Sequence, residues 1–553
     1  MRRMLAVLAG VLLVASAATT ATASAPNQRA ALAGRSASLG DQERRLLCDE
    51  GDPLCAETAD AVGYEGRYTG HDEPSLLFYS NTPGSGNNTS YRLTVPRDPP
   101  ILPRQDGSGG TFNFQDRIAF WFGMALCDNQ SAPEFTHAPC VPNSDANIFD
   151  GADPTKPDYI GRHPGTAFLE LQFYSPGWVS FENGISCDAT KWCAAMALFS
   201  LNRDMNNGTG AGVNNNADCL AKVGVEPANF AFITHDGRPQ APPAPLDLTL
   251  AAFTPDPARD LFMNAGDALD ISVHDSPAGL VTEIRDLTTH QSGSMTASVA
   301  NGFAQVNYDP TAAVCTQSPY AFHPMYATSS EHTRVPWAAH SYSVAFSDEI
   351  GHFEYCASVN PDGTCAADPS DPNGPDGDDV GCHGPDESLR VRIGGCTGTD
   401  NDFDGVSYQP TWPGTFTNPV RDLLLHPRSV LLSSPTFNRG RNYDRVAFEA
   451  DLPRIEAADF GGNCDRSTGA NCVNPPPGAN FYPIYSTRAS LSVGCLWQLG
   501  GTHIPGTRNT FGGTSTAEYG PLLFLDYPGP GFTPIHRTND FRRVLANNPC
   551  RRS

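Results

Sequence analysis

The sequence predicts an all-β protein: two or more antiparallel β-sandwich, jelly-roll-like domains with long disulfide-linked loops and few short helices. Three observations carry that expectation. Apolar and polar residues alternate over short segments, clusters of Gly, Pro, Asn and Asp separate those segments, and long stretches with helical periodicity are almost absent. Short strands joined by turns favour antiparallel sandwiches or barrels over βαβ units.

The elements follow in chain order. Met1-Arg2-Arg3, an apolar run to about Ala18 and the small-residue segment Ala21-Thr22-Ala23 have the three parts of a secretory signal peptide, which would occupy 1–23. The apolar run is too short to span a bilayer, and no later stretch is apolar enough to do so. Asp41–Cys48 and Asp540–Leu545 read as short helices. Asn81–Asn88 is a turn cluster. In Phe168–Tyr174, Leu169, Leu171 and Phe173 alternate with Glu170 and Gln172, which suits a half-buried strand. Thr190–Leu201 contains an unbroken apolar run from Trp192 to Phe199, so its period leaves helix and buried strand both open. Leu269-Asp270-Ile271-Ser272-Val273 and Leu389–Ile393 alternate cleanly. His340–Phe346 and His352–Cys356, on either side of Asp348-Glu349, read as the arms of a hairpin.

Two composition shifts suggest domain limits. Pro239-Gln240-Ala241-Pro242-Pro243-Ala244-Pro245 has the composition of a linker, and 360–386 is rich in Asp, Gly and Pro. The expected division is therefore an N-terminal β-rich domain over 24–240, a central β-sandwich with an acidic loop over 246–396, and a C-terminal β-rich domain over 397–553.

The 16 cysteines are even in number and contain no CxxC pair, so they suit disulfides in an oxidising compartment better than a zinc ribbon. Close pairs such as Cys127/Cys140 and Cys187/Cys193 could close local loops, but spacing does not determine connectivity. A formal net charge of −24 makes nucleic acid and anionic membrane poor partners. No H-E-x-x-H, G-x-S-x-G, P-loop or G-x-G-x-x-G occurs, which disfavours the common zinc proteases, α/β-hydrolases and nucleotide-binding enzymes.

Two constellations could carry chemistry. Asp400, Asp402 and Asp404 precede Gly405 in the manner of the first half of a Ca²⁺ loop, and Asp376 and Asp378 lie in a second acidic loop between Cys365 and Cys382. The EF-hand glutamate is missing, since Thr411 stands at the twelfth position. A structural Ca²⁺ and a solvated acidic loop both account for this pattern. In the expected hairpin, His352 would face Ala345 and Glu354 would face Ser343, leaving room above both. They would then form an acid/base pair, two metal ligands, or the solvent face of an ordinary hairpin. Glu349 and Glu170 are the next catalytic candidates.

Gly70–Ser75, Ser347–Cys356 and Asn471–Ala479 resemble segments of a family of large secreted bacterial and fungal proteins with no assigned chemistry. The resemblance implies secretion and a shared fold, and it assigns no catalytic residue. The leading expectation is an extracellular protein that binds or degrades a polysaccharide, as a glycoside hydrolase or polysaccharide lyase if it is an enzyme. A non-catalytic surface or matrix adhesion protein is the alternative, and a secreted protease of unfamiliar type the third. This expectation rests on class-level reasoning, because fold does not dictate function.

Overall fold

The computed structural model describes residues 71–72, 75–80, 82–97, 100, 120–130, 140–147, 166–174, 176, 187–188, 190–204, 213–224, 226–325, 342–347, 350–351, 430–443, 445–451, 485–490, 494–499, 525–528, 534–537, 540–545 and 548–550. Among them, eighteen strands build two nine-stranded antiparallel sheets. The first sheet contains β1 (Ser75–Ser80), β3 (Phe120–Cys127), β4 (Thr166–Tyr174), β5 (Lys191–Phe199), β6 (Ala228–Phe232), β7 (Phe262–Asn264), β11 (Tyr342–Ser347), β15 (Arg445–Asp451) and β18 (Asp540–Leu545). The second contains β2 (Asn88–Thr94), β8 (Ala268–His274), β9 (Leu280–Asp286), β10 (Ser292–Ala297), β12 (Leu431–Leu432), β13 (Thr436–Phe437), β14 (Arg441–Asn442), β16 (Tyr485–Ser490) and β17 (Gly494–Leu499). Two helices, α1 (Ala217–Val223) and α2 (Leu250–Phe253), are short. None of the described helices is long and apolar enough to cross a membrane.

The first sheet runs β7-β5-β4-β3-β11-β1-β15-β18, with β6 following β7 along the same side of β5. The second runs β10-β9-β8-β2-β12-β17-β16. Their strands differ in character for a physical reason. β3 (FWFGMALC) is covered on both faces and is therefore apolar almost throughout, whereas β8 (ALDISVH) and β9 (LVTEIRD) are covered on one face and alternate. The buried face of β8 and β9 joins residues of the first sheet in one continuous apolar core. Three ring contacts span the two sheets: Tyr91 stacks on Phe122 at 4.1 Å, and Phe78 and Phe346 meet Trp497 and Tyr485 edge-on at 6.2 and 5.7 Å. Each core side chain such as Leu269, Ile271 or Ile284 contributes about 2 kcal/mol of hydrophobic burial.

Four disulfides are formed among the described residues: Cys127–Cys140, Cys187–Cys193, Cys219–Cys315 and Cys495–Cys550. The first two are the short loops that the spacing suggested. The third ties α1 to the loop that joins the two strands of the β-pair 304–306/317–319, whose backbone the α1 cap Asn216 also reaches by donating to the Asp309 carbonyl.

Several expectations are corrected. Asp540–Leu545 is a strand, because β15 offers it a full register from Asp451 to Val446. Phe168–Tyr174 is buried on both faces, so Glu170 and Gln172 are inside. Of the hairpin expected for 340–346 with 352–356, the second arm lies outside the described residues; β11 is flanked by β1 on one side and β3 on the other, and Ile350-Gly351 pairs with His71-Asp72. The proline-rich run is no free linker, since Pro243, Ala244 and Pro245 are buried and the Pro243 carbonyl accepts from Phe230 N of β6. Nor do the sheets follow a division at 240 and 397. β2 from the first expected piece lies between β8 from the second and β12 from the third.

Candidate functional site: a polar groove on the second sheet

The outward positions of β2, β8, β9 and β10 line up by register. One rung reads Arg92, Asp270, Arg285, Ser292, and the next reads Ser90, Ser272, Glu283, Ser294. The period of two that buries Leu269, Ile271 and Val273 sends Asp270 and Ser272 to the other face. These rungs floor an open groove of about 540 Å³, with His235 on its rim. Arg92 Nε donates to Asp270 Oδ1 at 2.8 Å across the strands. Both side chains are substantially exposed, so this pair orders the floor more than it stabilises the fold. At the β2 side, Ser90 Oγ and Thr436 Oγ1 lie 3.2 Å apart, and the Arg92 backbone N–H donates to Ser433 Oγ at 2.8 Å.

The wall beyond β10 is the segment 233–237. Ser294 N donates to the Thr234 carbonyl at 2.8 Å, and His235 N to the Arg259 carbonyl at 2.8 Å. His235 Nδ1 sits 2.8 Å from the Ser292 carbonyl, and since a carbonyl only accepts, Nδ1 is the donor and Nε2 is left for other partners. Two glycines permit this close approach. A Cβ at Gly293 would stand 2.9 Å from Ile233 Cγ2 and 3.0 Å from both Leu261 Cβ and the Thr234 carbonyl. Gly237 has a φ of +70°, which other residues adopt at a cost.

Carboxylates support the wall and the floor from behind. Asp260 bridges Thr234, accepts from Asp256 N at 2.7 Å on Oδ2, and is 1% exposed. Burial pushes its carboxyl up to about 6; the charge of Asp256 adds to this, while the Asp256 N–H, Arg259 and His235 oppose it. Asp236, on the wall itself, is held below the ordinary carboxylate range chiefly by the Arg238 backbone N–H. At the end of β9, Asp286 and Asp267 lie close enough to shift one another in opposite directions. Burial and the neighbouring Asp286 raise Asp267, whereas Asp286, though burial opposes this, is held down by donors from Thr289 and Thr288.

Of the sequence-predicted site residues, only Glu170 lies within the described part. It is 1% exposed on β4, opposite Gly123 and Ala197, and accepts from Gln172 Nε2 at 2.6 Å. The Tyr174 hydroxyl in turn donates to Gln172 Oε1. This carboxylate is sealed within the sheet, away from solvent. His352, Glu354 and Glu349 lie outside the described residues, as do the acidic positions Asp400, Asp402, Asp404, Asp376 and Asp378. Among the described residues, no group of three or more His, Cys, Asp or Glu side chains could hold a metal ion. Trp121, Trp192 and Trp497 are buried in the core and so offer no stacking platform.

The groove residues Arg92, Asp270, Glu283 and Arg285 were not singled out by motif. The alternation of 269–273 marks Asp270 and Ser272 as outward, but nothing in the local sequence links Asp270 to an arginine 178 residues away. A comparison with protein-family models finds no match, and a comparison with curated proteins finds none either.

Proposed function

We propose that this is a secreted protein that binds an extracellular glycan along the groove of the second sheet. One observation carries the reading: a floor four strands wide presents hydroxyls and charged groups in register beneath an open groove of roughly 540 Å³. Four strands at about 4.8 Å spacing make a floor roughly 15 Å across, enough for a short stretch of a polymer. Sugar hydroxyls both donate and accept, and Ser90, Ser272 and Ser294 beside Asp270 and Glu283 offer both roles. The four disulfides suit the oxidising conditions outside the cytoplasm.

Binding without turnover is favoured over hydrolysis. A glycosidase of the common kind needs two carboxyl groups at one bond, one of them free to hold a proton in an apolar setting. In the groove, Asp270 is already engaged by Arg92, and Glu283 stands exposed among serines. The adhesion alternative shares the same binding surface and differs only in what the glycan is attached to.

The test is a screen of soluble and insoluble polysaccharides for binding and for product release, with and without EDTA, on the full chain and on Ser272→Arg. Position 272 is half-exposed at the middle of the floor, so the arginine blocks the groove without entering the core. The expected result is binding by the full chain, loss of at least tenfold in affinity for Ser272→Arg, unchanged unfolding and no released product. Equal binding by both proteins would move the site elsewhere, and product release would restore the enzymatic reading.

A further inference from the structure

We infer that the groove selects acidic sugars and that Arg285 is the residue that grips their carboxylate or sulfate; this rests on the glycan reading above and names its ligand class. The inference comes from how charge is distributed over the floor. On the first rung Arg92, Asp270 and Arg285 lie side by side across β2, β8 and β9. Asp270 is engaged by Arg92 Nε at 2.8 Å. Arg285 is exposed, forms no ion pair or side-chain hydrogen bond among the described residues, and faces only the neutral Ser292 on its other side. The rung thus carries one cation in excess, in a chain whose formal net charge is −24.

The chemistry of the guanidinium sets the ligand class. Its planar fork matches a carboxylate or a sulfate through two parallel N–H···O bonds, a geometry that a lysine cannot reproduce. His235, held at the rim of the same rung by its Nδ1 bond to the Ser292 carbonyl, keeps Nε2 for a second contact. One rung further, roughly 7 Å along the strand, Glu283 stands among serines. It accepts from sugar hydroxyls and repels a second anion, so the acidic group of the ligand is placed at the Arg285 end.

The experiment titrates the full chain with three probes: oligogalacturonate for the carboxylate, dextran sulfate for the sulfate, and neutral dextran. Each is measured at low salt and at about 0.3 M salt, where surface charge is largely screened. The expected result is that at least one anionic probe binds about tenfold or more tightly than neutral dextran at low salt, with the ratio shrinking at high salt. R285Q should bring that ratio close to one, R285K should recover only part of it, and both should unfold at the wild-type temperature. K222Q removes the same charge from α1, well away in sequence, and should leave the ratio at the wild-type value. If R285Q keeps the full preference, or if K222Q lowers it as much, the assignment to Arg285 is overturned. Equal binding of neutral and anionic probes by the wild-type chain overturns the selectivity while leaving the glycan reading intact; binding of none of the three probes, together with a blank polysaccharide screen, overturns both.

Discussion

Asp260→Asn should make the protein more stable at neutral pH, and the gain should disappear in acid. Asp260 is 1% exposed, its Oδ1 is buried with no hydrogen-bond partner among the described residues, and its carboxyl is raised from an ordinary 3.8 to about 6. A shift of about two units corresponds to about 3 kcal/mol at 1.36 kcal/mol per unit, and screening by solvent and by Arg259 brings this to about 2 kcal/mol. The sign follows from proton binding. The folded chain holds this proton more tightly than the unfolded chain, so the associated stability is fully present below pH 3.8, declines as pH rises through about 6, and is absent above that. Asparagine keeps the acceptor for the Asp256 N–H and never ionises. Urea unfolding of wild type and variant, followed by tryptophan fluorescence between about pH 4 and pH 7.5, reads the effect directly. The difference in unfolding free energy should change by about 2 kcal/mol in favour of the variant across that interval. A difference that stays constant with pH, or that grows toward acid, would refute the argument that Asp260 is a desolvated carboxyl behind the groove wall.

Three further perturbations probe the same framework. Gly293→Ala places a Cβ within 2.9 Å of Ile233 Cγ2 and 3.0 Å of backbone at Thr234, so it should cost about 1–3 kcal/mol and weaken glycan binding by displacing the wall, as read by unfolding and calorimetric titration. Replacing both Cys219 and Cys315 by alanine opens a loop of 96 residues and should cost roughly 4 kcal/mol, measured as a lowered unfolding midpoint that reducing agent does not lower further at this site. Arg92→Ala removes an exposed ion pair and should change stability by less than about 1 kcal/mol while reducing ligand affinity, which separates ordering of the floor from support of the fold.

What the sequence revealed depended on how local the deciding contacts were. The alternation in Leu269–Val273 reports one-sided burial and was legible, and the strand β8 matches it residue for residue. Thr190–Leu201 left two options open because both faces of β5 are covered, which erases the period that distinguishes strand from helix. In Asp540–Leu545 the spacing of Phe541, Val544 and Leu545 imitates a helical face, and only the partner strand β15, some 90 residues earlier in the chain, decides for the sheet. For 342–347 the partners are distant in sequence, β1 on one side and β3 on the other, a pairing that the local pattern does not announce. The site was less legible still. Glu170 has the residue type of a catalytic acid, yet Gly123 and Ala197 beside it mark a covered face. The groove, by contrast, is assembled from residues near 90, 270, 284 and 293, which only the register brings together.

The claim that the second sheet carries a glycan on its outer face is tested most directly by protection of that face. Hydrogen–deuterium exchange of the full chain, with and without a polysaccharide that binds it, reports slowed exchange at each peptide. The account predicts slowing concentrated in peptides covering 88–94, 234–237, 268–274, 280–286 and 292–297, with β3, β4 and β5 unchanged. Slowing confined to other segments, with these five unaffected, would contradict it.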